Sequence, residues 1–292
     1  MHKIILFYKF IPINDPETVM HWQRELCQAN HLKGRIIISK DGINGTLGGP
    51  VEGLKAYKKA MNLHSKFKKI MYKWSDGSAD DFPRLSIKVR DEIVTFMAKK
   101  ELQVDKNGVV GGGKKLKPAQ VHALIEKRKD VVFMDGRNEL ESKIGRFKNA
   151  IIPNTGTTRD FLNELEKPEM QKLKNKPIVT YCTGGIRCEI LTTLMKNRGF
   201  EEVYQIDGGI AKYGEEFKDE GLWEGKMYVF DRRMTIAFSE KAKDIGLCIY
   251  CENKTSNFIN CADKSCNDLV VVCEGCSTIT THCSKHTMSV HI

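Results

Sequence analysis

The run Pro177-Ile178-Val179-Thr180-Tyr181-Cys182-Thr183-Gly184-Gly185-Ile186-Arg187 constrains the middle of the chain more than any other feature. A short, β-branched apolar stretch ends on a cysteine, two adjacent glycines follow, and a helical pattern over 187–197 begins. Two further buried-type strands, Val131–Asp135 and Glu202–Ile206, flank it in sequence, the latter closed by Gly208-Gly209. Helices are expected from Pro118 and from a Thr157 or Thr158 cap through Leu173. Apolar strands alternating with helices build a mostly parallel sheet covered on both faces. Ligands bind such sheets at the carboxyl ends of the strands, which is where Cys182 stands.

The residues around that cysteine suit an anion. Adjacent glycines let the backbone curl so that the N–H groups of Thr183, Gly184, Gly185 and Ile186 converge, with a helix N-terminus behind them. With the Arg187 guanidinium they favour a thiolate, making Cys182 a nucleophile at neutral pH. The alternative is a buried structural cysteine ahead of an ordinary helix. Cys188 either resolves an oxidised Cys182 or packs as a small apolar residue. Cysteine-dependent phosphatases place five residues between nucleophile and arginine. The four here form a tighter ring suited to a sulfur atom.

Ahead of this region the pattern is different. Strands at Ile4–Phe10, Gly34–Ser39 and Gly45–Gly48, helices from Pro16 and Val51, and late strands at Lys69–Trp74 and Leu85–Arg90 give a β-α-β-β-α-β order, the ferredoxin-like split unit. Cys27, on a helix face, reads as core. The fold class is therefore α/β in three parts: a ferredoxin-like α+β domain over 1–107, a parallel-sheet domain over 108–225 and a Cys-rich segment over 226–292. The glycine-rich stretch 108–117 reads as a linker.

Charge is unevenly spread. The chain carries 47 basic and 37 acidic side chains, a net +10, and residues 53–75 hold Lys55, Lys58, Lys59, Lys66, Lys68, Lys69 and Lys73 with no acid among them. A surface of that kind attracts nucleic acid, or is simply a solvated face. No stretch approaches the roughly 20 apolar residues of a membrane span. No secretory signal is legible at Met1–Lys9, and ten cysteines then point to the reducing cytosol, where thiols serve metals or catalysis.

Seven of those cysteines fall within 248–283. Cys248-x2-Cys251 and Cys273-x2-Cys276 are knuckles, Cys261 and Cys266 lie between them, and Cys283 with His286 closes the run. Seven thiolates and one histidine would fill two tetrahedral zinc sites. One zinc with spare thiols, an iron–sulfur cluster and metal-free thiols remain open. A structural metal would stabilise a segment too short for a core of its own. No dinucleotide fingerprint or two-histidine-one-carboxylate set is present.

The residues around the loop resemble a rhodanese domain: Asp135-Gly136-Arg137-Asn138, Glu141, Gly145-Arg146-Phe147, Ala150-Ile151 and Asp207-Gly208-Gly209-Ile210. Asp135 and Arg137 read as a structural pair. The resemblance narrows with Gly34-Arg35-Ile36, Gly42-Ile43-Asn44-Gly45-Thr46 and Lys88–Val94 before that domain, and Trp223-Glu224-Gly225 and Val229-Phe230-Asp231-Arg232-Arg233 after it. Over roughly residues 1–275 the chain is similar to the bacterial rhodanese-domain tRNA uridine-34 hydroxylases. Asp41, Arg146 and Thr183 depart from the usual pattern. The resemblance implies a cytoplasmic enzyme that forms 5-hydroxyuridine at the wobble position, with tRNA as partner, dioxygen as co-substrate and Cys182 required. A persulfide-carrying sulfurtransferase is the second reading, and an RNA- or protein-binding module with an inactive loop the third.

Overall fold

The computed structural model of the chain describes residues 1–266 and 268–286. Strand alternation organises the first part. In β1 (His2–Phe10), Ile5 and Phe7 enter a core shared with α1 (Pro16–Ala29) and α2 (Val51–Leu63), so Leu6 and Tyr8 face the other side of the sheet. Asp15 caps α1, accepting from the Thr18 N–H at 3.0 Å, with Pro16 in the first turn. The hairpin of β2 (Lys33–Ser39) and β3 (Gly42–Pro50) lies beside β1, and β4 (Tyr72–Asp76) takes β1's other edge. Phe7 crosses its partner Gly45, where a Cβ would meet the ring at 2.5 Å. The order is β4-β1-β3-β2 plus β5 (Leu85–Val89), which extends the ferredoxin-like arrangement as a fifth strand parallel to β2.

A hairpin of β6 (Val104–Asp105) and β7 (Gly108–Val109) straddles position 107, and the expected linker contains β8 (Lys114–Leu116), an edge of the second sheet. Then come α3 (Pro118–Lys127), β9 (Val132–Asp135), α4 (Glu139–Ser142), β10 (Gly145–Phe147), α5 (Phe161–Glu164) and α6 (Pro168–Gln171). The helix expected through Leu173 is broken in two because Pro168 donates no N–H and can only start a new helix. β11 (Ile178–Tyr181), α7 (Ile186–Asn197), β12 (Val203–Ile206) and α8 (Gly209–Phe217) complete the domain. The sheet order is β8-β12-β11-β9, all parallel. Ile178 enters one core and Val179 and Tyr181 the other, so both faces are covered. Phe10, Ile93 and Phe96 of the first part share the core of Ile178, so the two units pack together.

The third part is thinner. β13 (Trp223–Gly225) pairs with β10, β14 (Met227–Tyr228) with β15 (Thr235–Ile236), and β16 (Phe258–Asn260) with β17 (Leu269–Val271), ahead of α9 (Glu274–Ile279). Its cluster of buried residues is Ile144, Tyr228, Phe258 and Val271, one of them borrowed from the second domain. Among the described residues no helix is long and apolar enough to cross a membrane.

Candidate active site

β11 delivers Cys182 to the sheet's carboxyl edge, and the next residues curl as the glycines allow. Gly185 takes φ +98°, and its N–H donates to the Cys182 sulfur at 3.2 Å. A second glycine turn presses in from β12: the N–H groups of Ile210 and Ala211 donate to the carbonyls of Cys182 (2.9 Å) and Thr183 (3.0 Å). Gly209, at φ +66°, sits so close that a Cβ would lie 2.3 Å from the Cys182 carbonyl oxygen.

Complete burial alone would disfavour a thiolate at Cys182. The Cys188 thiol, the Arg187 guanidinium and the N–H groups of residues 188 and 187 outweigh it, and hold the group well below the ordinary thiol range. Cys188 moves the opposite way, raised by burial and by the neighbouring sulfur anion. It therefore faces Cys182 as a protonated donor. Cys27 is buried in the first core and pushed up to about 12 by desolvation, as an inert thiol is.

Arg187 does not face the sulfur alone. Its guanidinium forms a two-pronged ion pair with Glu141 (2.5 and 2.8 Å), donates to the Thr183 hydroxyl at 3.1 Å and packs on the Phe230 ring. Arg137 is a structural residue as expected: it pairs with Asp135 at 2.6 Å, donates to the Gly145 carbonyl and lies between the rings of Tyr181 and Trp223.

The first domain closes the site. Leu6 and Tyr8, on the helix-free side of β1, lie against Gly184 and Gly185. The Tyr8 hydroxyl donates to Glu189 at 2.9 Å, and Lys115 pairs with the same carboxylate at 2.5 Å. The Cys182 side chain has no solvent-exposed surface in this arrangement. A cavity of about 400 Å³, lined by Tyr8, Lys73, Lys115, Glu189 and Asp207, adjoins the cover.

Of the seven clustered lysines, Lys55, Lys58 and Lys59 lie on α2, which covers the face of the sheet turned away from Cys182. Lys66, Lys68 and Lys69 follow in the turn after α2, where Lys66 donates to the Pro12 carbonyl at 2.5 Å. Lys73 departs from the expectation of one exposed lysine surface, whether nucleic-acid-binding or merely solvated. It is 6% exposed, because β4 turns it to the side opposite α2, where its ammonium lies 4.9 Å from the centre of the Tyr8 ring. Burial pulls it down to about 8, against the opposing pull of Cys182, Asp207 and Glu189. The sequence did not single out Tyr8, Lys115, Glu189 or Phe230. Strand alternation along β1 is the one sequence signal that places Tyr8 opposite the Ile5 and Phe7 core.

The Cys-rich segment gathers its ligands as two sets. Cys248, Cys251, Cys273 and Cys276 bring their sulfurs within 4.8 Å of one another, and Cys261, Cys266, Cys283 and His286 do the same with their ligand atoms. Each set is able to hold a metal ion. In the first, burial of Cys248 is overcome by the N–H groups of the knuckles, and its thiol falls to about 6, ready to ligate as thiolate.

A parallel sheet that offers a cysteine in a glycine-built ring, five positions ahead of an arginine, defines a rhodanese-type protein. The family models agree part by part: a UPF0176 acylphosphatase-like domain over residues 2–93, a rhodanese-like domain over 117–216 and a rhodanese C-terminal segment over 224–287. The chain is 56% identical over 282 residues to a protein of Arthrobacter sp. (strain FB24) named tRNA uridine(34) hydroxylase, covering 95% of each. It is 58% identical over 276 residues to the protein of that name from Corynebacterium jeikeium (strain K411), covering 94% of this chain and 89% of that one. A Corynebacterium glutamicum (strain R) protein of that name is 55% identical over 287 residues, 97% and 92% of the two chains. The chain belongs to the tRNA uridine(34) hydroxylase family.

Proposed function

We propose that the chain hydroxylates uridine-34 of tRNA at C5 of the base, with dioxygen as co-substrate and Cys182 as the reacting group. The observation that carries this is a sulfur held as an anion despite complete burial, inside a ring of main-chain N–H groups. In the route we favour, the Cys182 sulfur bonds to C6 of uracil and the C5=C6 electron pair moves toward C5. C5 then takes one oxygen atom, loses its proton and expels Cys182, which restores the double bond. The second oxygen atom leaves as water with two electrons and two protons from an external thiol reductant, which becomes a disulfide. The N–H groups of Gly185, Arg187 and Cys188, rather than the expected run of residues 183–186, hold the sulfur in place, Arg187 with Glu141 fixes the loop, and the Cys188 thiol keeps its proton toward the sulfur.

We further propose that each ligand set of the Cys-rich segment holds one zinc ion. Four-coordinate thiolate and thiolate–imidazole sets are closed sites, so the metal would supply structure to a segment that contributes only three residues to its small core rather than turnover.

Nucleoside mass spectrometry of tRNA tests the main reading. A strain lacking the gene should lose 5-hydroxyuridine-derived nucleosides and regain them with the wild type but not with Cys182→Ser. Equal restoration by both would remove Cys182 from the reaction. Thiosulfate:cyanide turnover with no effect on tRNA would favour a sulfurtransferase instead.

A further inference from the structure

A second basic surface lies on the catalytic side of the first sheet, where the first and third parts of the chain meet. Arg35 on β2 and Ser86 on β5 are register partners, and Lys88 stands two residues further along β5 on the same side. With Arg84 and Arg232 they line a groove of about 600 Å³ that the Cys-rich segment closes with Asn260 and Leu269. None of the four cations has a carboxylate within ion-pair distance among the described residues; Arg35 donates to the Phe230 carbonyl and Arg232 to the Asp80 carbonyl at 3.0 Å, and the side chains of Arg84 and Lys88 have no hydrogen-bond partner there. The two acids in the groove are engaged. Asp231 is paired with Arg233 at 2.6 Å, and Asp81 accepts from the Ser78 N–H at 2.7 Å.

Phe230 sits in the same groove, 49% exposed, the only phenylalanine or tryptophan left exposed among the described residues. Leaving an aromatic ring in water has a cost that a stacking partner would remove. Tyr228 holds it edge-on at 4.9 Å, and the Arg187 guanidinium lies 5.8 Å from its centre. Phe230 also lines a small cavity with Thr183 and Lys73, so the groove runs directly to the Cys182 loop. Cations without a neutralising carboxylate around a flat exposed ring are what a single strand needs: charge for the phosphates, a platform for a base.

We propose that this groove binds the single-stranded nucleotides flanking the target base, with phosphates against Arg84, Lys88 and Arg232 and one base stacked on Phe230. The inference rests on tRNA being the substrate. It assigns the strand to the loop-facing side of the sheet, while α2 and its lysines lie on the other.

Binding of an anticodon stem-loop RNA to the full chain, measured by fluorescence anisotropy across a salt series, tests it. Phe230→Leu keeps the bulk but removes the flat ring. It should weaken binding roughly five- to hundredfold with the salt slope unchanged. Arg84→Gln/Lys88→Gln should flatten the slope by roughly 0.7 per lost contact. Lys58→Gln/Lys59→Gln should change affinity less than either. Unchanged stem-loop binding by Phe230→Leu and by the double variant, with folding intact by thermal melt, would overturn the groove assignment alone. So would equal weakening toward a fully duplex RNA. Failure of the wild type to bind the stem-loop would defeat the tRNA reading itself.

Discussion

Replacing Arg187 by methionine separates its two roles. Its guanidinium is 8% exposed and Glu141, which it grips through two nitrogens, is 3% exposed. Removing the cation strands a buried carboxylate, and breaking such a pair costs about 3–5 kcal/mol. For a domain of this size each kcal/mol lowers Tm by roughly 2–4 °C, so a fall of about 6–20 °C is expected. The double variant Arg187→Met/Glu141→Leu removes both charges and should recover most of that loss, as hydrophobic replacement of buried pairs does. Hydroxylation of tRNA should stay low in both, because the sulfur still lacks its cation. Calorimetry on the two proteins with an activity assay alongside reads both outcomes. A loss below about 1 kcal/mol in the single variant, or full activity in the double one, would refute this account of the pair.

Other expectations follow from the same geometry. Burial holds Lys73 at about 8, below its unfolded value, so its charged form is penalised in the fold and wild-type stability rises as pH climbs through 8 toward the unfolded pKa. Lys73→Met should therefore raise Tm at neutral pH, with a gain that shrinks above pH 8; a constant gain would contradict it. Gly209→Ala puts a Cβ 2.3 Å from the Cys182 carbonyl at a left-handed φ, so denaturant unfolding should show a loss of about 2 kcal/mol or more. Elemental analysis should find two zinc ions per chain, one lost in Cys248→Ser. Strong chelation should lower the melting temperature without touching far-UV signals from the parallel sheet. A metal-free protein with the same Tm would remove zinc from the description.

Much of this was readable in the residues, and what was not has a common cause. The Cys182 loop is local: a strand, two glycines and a helix start within eleven residues, so its position at the sheet edge follows from pattern alone. The two ligand sets were legible as spacing, although the sorting of Cys261, Cys266, Cys283 and His286 into one set needed three dimensions. The helix expected from Thr157 or Thr158 through Leu173 ends before Pro168, which carries no N–H to continue it. What pattern could not give is the docking of one unit on another. Seven lysines in 53–75 look equivalent in a list, yet strand alternation at β4 buries Lys73 beside the catalytic loop and leaves the lysines of α2 on the far side. The Glu141–Arg187 pair spans 46 positions and the Tyr8–Glu189 bond 181, beyond any periodicity. Phe230 stood in a recognisable run of residues, but nothing in that run says its ring stays in solvent.

The most direct measurement supplies isotopically heavy dioxygen and a thiol reductant to purified wild-type protein and Cys182→Ser with unmodified tRNA, and weighs the nucleoside at position 34. Heavy oxygen at C5 of uridine with the wild type, and unmodified uridine with Cys182→Ser, is the predicted result. Oxygen drawn from water, or the same labelled product from Cys182→Ser, would contradict the claim that a cradled thiolate performs this hydroxylation.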